Sequence, residues 1–304
     1  MSRPPIRDFP VVEPSQATPT SAPLHFSPRA EKGERAGEES LPRRVWSQAQ
    51  ADDVLGGAAQ IAYFFFLSLP PAILVLFGLT GFFGGQGVAD WLTGQLQTAL
   101  PAEASGLIQR FVDQVVHENA PGPFSIGLVL ALWASSNVFT ALTKTLNDAY
   151  GVEESRPWWK QRIVSLGVML TCGVLFLAGS AVLIAGPQIA GALQLGGVAD
   201  LAWTVLQWPL AFAIVVATFW IIYYVLPNRD QKRSKGTLVK ASAIAAALWL
   251  LATLAFRIYI SNFGSYGETY GLLGTVIVLL LWMYITGVVI LVGGEVASEM
   301  EAAA

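Results

Sequence analysis

The sequence is short of charged residues, histidine and cysteine, and each shortage excludes a class of protein. Asp, Glu, Lys and Arg form only 13% of the 304 residues, about half the share usual in soluble globular proteins, whereas 54% are hydrophobic. This composition indicates that lipid is the solvent. The net charge of -3 argues against nucleic acid as a partner. Cys172 is alone in an apolar stretch, so it forms neither an internal disulfide nor a metal site.

Residue types that carry catalysis are equally scarce. His25 and His117 lie outside the apolar stretches, and no pair of carboxylates lies within them. The sequence has no phosphate-binding glycine loop, nucleophile elbow or cysteine ligand set. Hydrolysis of phosphodiesters usually requires clustered carboxylates or histidines that hold metal ions or exchange protons. We therefore expect no catalytic residue, no metal and no cofactor.

The chain divides into a polar tail and a hydrophobic domain. Residues 1–44 hold eight of the seventeen prolines and no apolar run, which predicts a disordered tail. Residues 45–304 hold six stretches long enough to cross a hydrocarbon core, which takes roughly 20 helical residues. The sequence thus predicts an all-α membrane protein with spans at about 58–83, 124–143, 163–184, 201–226, 240–260 and 269–294.

The distribution of basic residues predicts the orientation of these spans. With the N-terminus inside, sixteen of the eighteen Lys and Arg residues fall on the inner side, and only Arg110 and Arg257 fall outside. Short inner loops of membrane proteins carry such an excess of positive charge. We therefore expect a multi-pass protein of the inner (cytoplasmic) membrane with both termini in the cytoplasm.

The long outer segment between the first two spans has a helical pattern of its own. Its apolar residues fall on one face, and they are Leu107, Ile108, Phe111, Val112, Val115 and Val116. This pattern predicts an outer amphipathic helix, packed either on the bundle or in the headgroup layer.

A polar stripe on the second span is the main candidate for function. The polar residues that share one side of that helix are Ser136, Asn137, Thr140, Thr143, Lys144 and Asn147. Because unpaired polar groups are costly in hydrocarbon, the stripe either joins helices or lines a cavity open to the cytoplasm, with Asn137 near its floor.

Five further positions are candidates for lining a cavity or forming ion pairs. In the first span, Pro70 and Pro71 predict a kink near Ser68. The kink would free backbone carbonyls in the preceding turn, which either bond neighbouring groups or contact a solute. Arg257 and Glu268 are candidates for an ion pair on the outer side. Glu295, near the end of the last span, either pairs with Lys144 or another inner basic residue, or couples protons.

Several segments agree in order and spacing with a known family. They are Ser135-Ser136-Asn137, Leu146-Asn147-Asp148-Ala149-Tyr150-Gly151-Val152-Glu153-Glu154, Arg156-Pro157-Trp158-Trp159-Lys160, Leu226-Pro227-Asn228-Arg229, Tyr270-Gly271-Leu272-Leu273-Gly274 and Gly294-Glu295. On these motifs the chain from about Asp52 onward resembles the YihY/BrkB family of bacterial inner-membrane proteins. The resemblance implies six helices, and members of the family are variously described as virulence factors, transporters or a ribonuclease.

Two functions from different classes fit these observations. The first is transport or export of a solute or lipid-like molecule, with membrane lipids as the other partner. The alternative is an envelope scaffold, assembly or resistance factor in which the polar residues only join helices. Ribonuclease activity is not expected, because the residue inventory offers no means of cutting RNA. The sequence sets neither the substrate nor the oligomeric state.

Overall fold

The computed structural model describes residues 40–83, 121–184, 197–229, 234–262 and 265–303. These residues form seven α-helices, so the predicted all-α class is confirmed. The helices are α1 (Leu41–Ala51), α2 (Val54–Phe83), α3 (Pro121–Ala149), α4 (Trp158–Ile184), α5 (Gly197–Val225), α6 (Lys235–Asn262) and α7 (Ser265–Ala302). The predicted outer amphipathic helix and residues 1–39 of the predicted tail lie outside the described residues.

Four of the described helices are long and apolar enough to cross a membrane. The qualifying segments are Trp158–Ser180, Val205–Val225, Lys235–Ser261 and Val276–Ala302, which overlap the third to sixth predicted spans. Helices α2 and α3 contain the first and second predicted spans, with a shorter apolar segment at Val54–Leu69. Helix α2 runs through Pro70 and Pro71 as one continuous element.

The six long helices form a closed ring. Each helix from α2 to α7 packs on the next in chain order, and α7 packs back on α2. Helix α7 also contacts α3 and α5, and α1 packs on α7 and α2. The end that contains residues 150–157 and 226–229, the start of α2 and the end of α7 is called the basic end here. Sequence analysis predicts that this end faces the cytoplasm.

Burial within the ring is greatest near the basic end. The largest fully buried apolar side chains are Leu142, Leu146, Tyr223, Leu226, Leu238 and Leu291. By contrast, large apolar side chains are exposed along the outer faces of α4, α5 and α6, and Phe176 is 73% exposed. Apolar surface of this extent is unfavourable in water and is expected where acyl chains surround a protein.

Glycines let α7 approach its neighbours closely. A Cβ atom at Gly287 would lie 3.2 Å from the carbonyl oxygen of Ala58 in α2. One at Gly293 would collide with the hydroxyl of Tyr223 and lie 2.6 Å from the Cβ of Ala245. Tyr223 is fully buried, and its hydroxyl donates a hydrogen bond of 2.8 Å to the carbonyl of Ile290. Close approach therefore fixes α7 against α2, α5 and α6.

Helix α1 was not predicted by the sequence analysis. It begins at Leu41, so residues 41–44 of the predicted tail are helical. A proline in the first turn costs no internal hydrogen bond, and Val45 packs into the core. Arg44 is also buried, with its Nε atom 3.2 Å from a carboxylate oxygen of Glu299. The amphipathic helix therefore docks on α7 through both apolar and ionic contacts.

Candidate functional site

The polar stripe of α3 converges on an arginine of α4. Nη1 of Arg162 lies 2.7 Å from Oγ of Ser136, 2.8 Å from Oδ1 of Asn137 and 3.3 Å from Oγ1 of Thr140. Its guanidinium carbon lies 3.9 Å from the ring centroid of Trp133, one turn earlier in α3. Three neutral oxygens and an aromatic face thus hold this cation between two helices.

Sequence reasoning treated Arg162 only as an inner charge that sets orientation. The residue lies one turn inside α4, and its long side chain extends along the helix toward the middle of α3. Nothing in the spacing of the sequence distinguishes it from an arginine in the headgroup layer. Only its position opposite Asn137 shows that it belongs to the stripe.

The stripe divides into two groups by the direction in which its members face. Ser136 and Thr143 are fully buried, and their hydroxyls donate to the carbonyls of Trp133 and Phe139 at 2.7 and 2.8 Å. Thr140 belongs to both groups, because its hydroxyl donates to the carbonyl of Ser136 at 3.1 Å and lies 3.3 Å from the hydroxyl of Ser165, while it also lines the cavity described next. Hydroxyls bonded to their own helix satisfy themselves in apolar surroundings and serve helix packing.

The second group lines a partly open cavity of about 570 Å³ near the basic end. Its walls come from α2, α3, the loop at 150–157 and the start of α4. The lining residues are Gln60, Phe64, Asn137, Thr140, Ala141, Lys144, Asn147, Asp148, Val152, Glu153, Glu154 and Gln161. Asn137, Lys144 and Asp148 recur at helical spacing, so one face of α3 forms one wall. Gln60, Gln161 and the loop carboxylates were not identified from the sequence.

The rim of the cavity is built by an ion pair within the loop. Nε and Nη2 of Arg156 lie 2.7 Å from the two carboxylate oxygens of Glu154, and the Arg156 amide donates to the same carboxylate at 3.0 Å. These bonds from Arg156, aided by one from the Asn147 amide, lower the pKa of Glu154 below its ordinary value. Glu154 is therefore ionised and neutralised by Arg156 at neutral pH.

The same rim joins the two loops of the basic end. Nη2 of Arg156 donates to the carbonyl of Leu226 at 2.8 Å, and the backbone amide of Asn228 donates to Oδ1 of Asn147 at 2.8 Å. The Asn228 side chain donates to the carbonyl of Glu153 at 3.0 Å. The motifs around Asn147 and Asn228, which sequence analysis identified separately, therefore form one clamp that ties α3 and α4 to α5.

The clamp requires a sharp turn after α3. Gly151 has φ of 60°, a left-handed conformation that glycine adopts without a Cβ penalty. The amide of Gly151 donates to the carbonyl of Asp148, and that of Val152 donates to the carbonyl of Asn147, each at 2.9 Å. The helix thus ends with its last carbonyls satisfied, and the chain turns back across the cavity mouth.

The remaining candidates lie apart from the cavity lining. Ser68 is buried in α2 and donates to the carbonyl of Phe65 at 2.7 Å. Arg257 is exposed near the end of α6, and Glu295 is fully buried in α7. The side chains of Pro71 and Glu268 lie outside the described set. The predicted pairings of Arg257 and Glu295 and the kink at Pro71 therefore stay predictions.

A second ionic cluster ties the end of α7 to the residues that follow α3 and α5. Arg229 forms a salt bridge with Glu301 at the end of α7, and its guanidinium carbon lies 3.7 Å from the ring centroid of Tyr150. The carboxylates near the end of α7 thus meet arginines from α1 and from the loop after α5. Within the described ranges, no group of three or more His, Cys, Asp or Glu side chains is arranged to hold a metal ion.

A ring of helices with an apolar outer surface and a polar cavity at one end defines a membrane protein with several helices that can span a bilayer. The chain belongs to the virulence factor BrkB family, whose sequence model matches residues 45–304. The family resemblance predicted from the motifs is confirmed.

Relatives with curated descriptions carry two kinds of name. The chain is 31% identical over 263 residues to the ribonuclease-like protein YfkH of Bacillus subtilis (strain 168), covering 84% of this chain and 94% of that protein. It is 31% identical over 258 residues to a UPF0761 membrane protein of Aeromonas salmonicida (strain A449), covering 83% and 85%. A UPF0761 membrane protein of Xanthomonas oryzae pv. oryzae (strain PXO99A) is 27% identical over 278 residues, covering 88% and 62%. No solved structure matches the chain significantly.

Proposed function

We propose that the protein crosses the inner membrane six times, with both termini and the basic end in the cytoplasm. Three observations support this topology. Helices α2 to α7 pack on one another in chain order around the ring, the outer faces of α4 to α6 expose large apolar side chains, and sixteen of eighteen basic residues lie on the inner side of the predicted spans.

We further propose that the protein binds and moves a polar solute or a lipid-like molecule through the cavity at the basic end. The observation that carries this proposal is the cavity itself, since its volume of about 570 Å³ lies within the range of small-molecule sites, roughly 300–1,000 Å³. Asn137, Thr140 and Lys144 extend its polar lining along α3 toward the centre of the helix bundle. Polar groups inside a membrane protein usually face the bundle interior or a water-filled cavity, and they often mark the path of a substrate.

Nuclease activity is not part of this proposal, although one relative is named ribonuclease-like. The carboxylates at the cavity are Asp148, Glu153 and Glu154. The Glu154 carboxylate is bound by Arg156, and the Glu153 backbone carbonyl accepts from Asn228. Phosphodiester hydrolysis usually requires carboxylates or histidines clustered to hold metal ions or exchange protons, and in the described ranges no three such groups are arranged to hold a metal ion. The geometry of the rim instead favours a structural role for the loop.

The competing function is an envelope scaffold, and one observation favours it. The bonds of Arg162 to Ser136 and Thr140 join α3 to α4 whether or not a solute is present. In a scaffold, Asn137 would add one more bond to this contact and nothing else. The two functions therefore differ in what they predict for Asn137→Ala.

The test expresses Asn137→Ala in a strain that lacks its own members of the family and scores complementation beside membrane abundance. A transporter variant should keep normal abundance and lose complementation. Thr171→Ala is the matched control, because Thr171 is exposed on α4 and bonds only its own helix, at the carbonyl of Gly167. Full complementation by Asn137→Ala at normal abundance would overturn the transport proposal in favour of the scaffold.

A further inference from the structure

The amide of Asn137 has a fixed orientation. Arginine has donors and no acceptor, so the Asn137 atom 2.8 Å from Nη1 of Arg162 must be the carbonyl oxygen. The amide nitrogen is therefore turned away from Arg162, and it donates to no group in the described part of the chain. Because Asn137 lines the cavity, this NH₂ group is a donor available to a ligand.

Lys144 supplies a second donor on the same wall. It lies two turns after Asn137, about 10 Å along the helix axis, and its side chain is exposed within the cavity lining. In the described ranges no carboxylate lies within salt-bridge distance of its ammonium group. A flexible ammonium on a cavity wall is a common way to bind an anionic oxygen.

Arg162 adds a fixed positive charge beside these two donors. Its contacts among the described residues are neutral oxygens and the Trp133 ring, and none of those residues places a carboxylate within 4 Å of it. A partly buried arginine with no carboxylate among its described contacts attracts anions to its surroundings. The amide of Asn137 lies between this charge and the cavity.

We propose that the Asn137–Lys144 wall binds the phosphate group of an anionic ligand, either a lipid headgroup or a soluble phosphate ester. This inference rests on the proposed function, because it names the chemical class that the cavity takes. A phosphate has several anionic oxygens, so it can accept from the Asn137 amide and the Lys144 ammonium together within the field of Arg162. A single carboxylate would use fewer of these groups.

The acidic residues of the rim do not cancel the positive charge beside the Asn137–Lys144 wall. Glu154 is neutralised by its bonds to Arg156, so it adds little negative potential. Asp148 lies one turn beyond Lys144; burial raises the pKa of its carboxyl, the nearby charge of Lys144 lowers it and that of Asp52 raises it. The positive groups therefore dominate the deeper part of the wall, and the carboxylates lie nearer the mouth.

The test measures binding of two probes to the purified full chain in a non-ionic detergent. Glycerol 3-phosphate represents a soluble ester and dihexanoyl phosphatidic acid represents a lipid, while glycerol and dihexanoylglycerol are their uncharged counterparts. We expect at least one phosphate probe to bind, and each uncharged counterpart to bind at least tenfold more weakly. Lys144→Gln should weaken phosphate binding roughly tenfold, and so should Asn137→Ala.

Lys240→Gln is the matched control. Lys240 is also exposed, and α6 contributes nothing to the cavity lining. Lys144 is exposed as well, so Lys144→Gln is expected to fold. If Asn137→Ala destabilises the protein, Lys144→Gln still tests the inference. Binding of the lipid alone or of the ester alone supports the site and identifies the source of the phosphate.

Two results would overturn the inference. One is the absence of binding by both phosphate probes, and the other is equal weakening by Lys144→Gln and Lys240→Gln, which would indicate a diffuse surface charge. Either result leaves the proposed function standing if Asn137→Ala still abolishes complementation. Failure of this inference is thereby distinguishable from failure of the transport proposal.

Discussion

Replacing Arg156 by methionine should destabilise the basic end more than any comparable change in the same loop. The substitution keeps most of the side-chain length and removes the guanidinium. It eliminates two charge-assisted hydrogen bonds to Glu154 and one bond to the carbonyl of Leu226, a residue that is fully buried. The clamp between the two loops would then depend on Asn147 and Asn228 alone.

The magnitude follows from these contacts. Loss of the bonds to a charged partner costs about 1.5–3 kcal/mol, and an unsatisfied buried carbonyl adds about 1–3 kcal/mol. The side chains of Arg156 and Glu154 are 11% and 23% exposed, so water compensates part of this loss. We expect the free energy of unfolding to fall by roughly 2–4 kcal/mol.

The assay is unfolding in mixed micelles with increasing SDS, followed by circular dichroism. Lys160→Met is the control, because Lys160 is exposed at the start of α4 and should change the unfolding free energy by less than about 0.5 kcal/mol. Equal stability of the two variants would refute the reasoning. In that case the loop motif would not stabilise the fold, and its residues would need another explanation.

Three further substitutions test the packing, the rim and the cavity. Gly293→Ala places a methyl group against Tyr223 and should lower the free energy of unfolding by about 1–3 kcal/mol in SDS titrations, whereas Gly173→Ala, with open space around it, should not. Glu154→Gln should remove the pH dependence that Glu154 gives to the free energy of unfolding. Since the folded-state pKa of Glu154 lies below its ordinary value of 4.5, its stabilisation is complete above that value and is lost as the pH falls through the folded-state pKa. Unfolding titrations of wild type and variant should therefore converge in acid, and a constant difference would contradict the assignment. Asp148→Asn removes a negative charge one turn from Lys144 and should strengthen binding of the same phosphate probes about threefold. Weaker binding would contradict the proposal that the Asn137–Lys144 wall binds phosphate.

The long helices were predictable because the thickness of a bilayer sets a minimum apolar length. The third predicted span, 163–184, lies within α4 at Trp158–Ile184, and the fourth, 201–226, overlaps α5 at Gly197–Val225. Most of these helices begin or end a few residues beyond the predicted bounds. Hydropathy detects the part in hydrocarbon, whereas the helix continues into the polar interface.

Helix α1 was missed for the opposite reason. It is short and polar on average, so it lacks the apolar length that identifies a span. Its stability comes from tertiary contacts, above all Val45 in the core and the Arg44–Glu299 pair. Those partners are about 250 residues apart in sequence, and no local pattern connects them. The tail was therefore predicted to extend too far, to Arg44.

The candidate site was predictable in part. Helical spacing showed that Asn137, Thr140 and Lys144 share one side of α3, because side-chain direction in a helix depends on sequence separation alone. The spacing could not separate them from Ser136 and Thr143, which are fully buried and do not line the cavity. That division depends on which neighbour each residue faces. Arg162 lies on another helix, so its membership of the site follows only from the fold.

The central claim is that Asn137 lies in a water-filled cavity open to the cytoplasm, and its most direct test is thiol accessibility. Asn137→Cys is made in a Cys172→Ser background, and a membrane-impermeant reagent is applied to vesicles of each orientation. Val138→Cys is the matched control, because Val138 is the next residue in the helix and its side chain is buried in the core. We predict reaction of the Asn137 variant from the cytoplasmic side and none of the Val138 variant. Silence at Asn137 from both sides in folded protein would contradict the account and leave the stripe as helix packing.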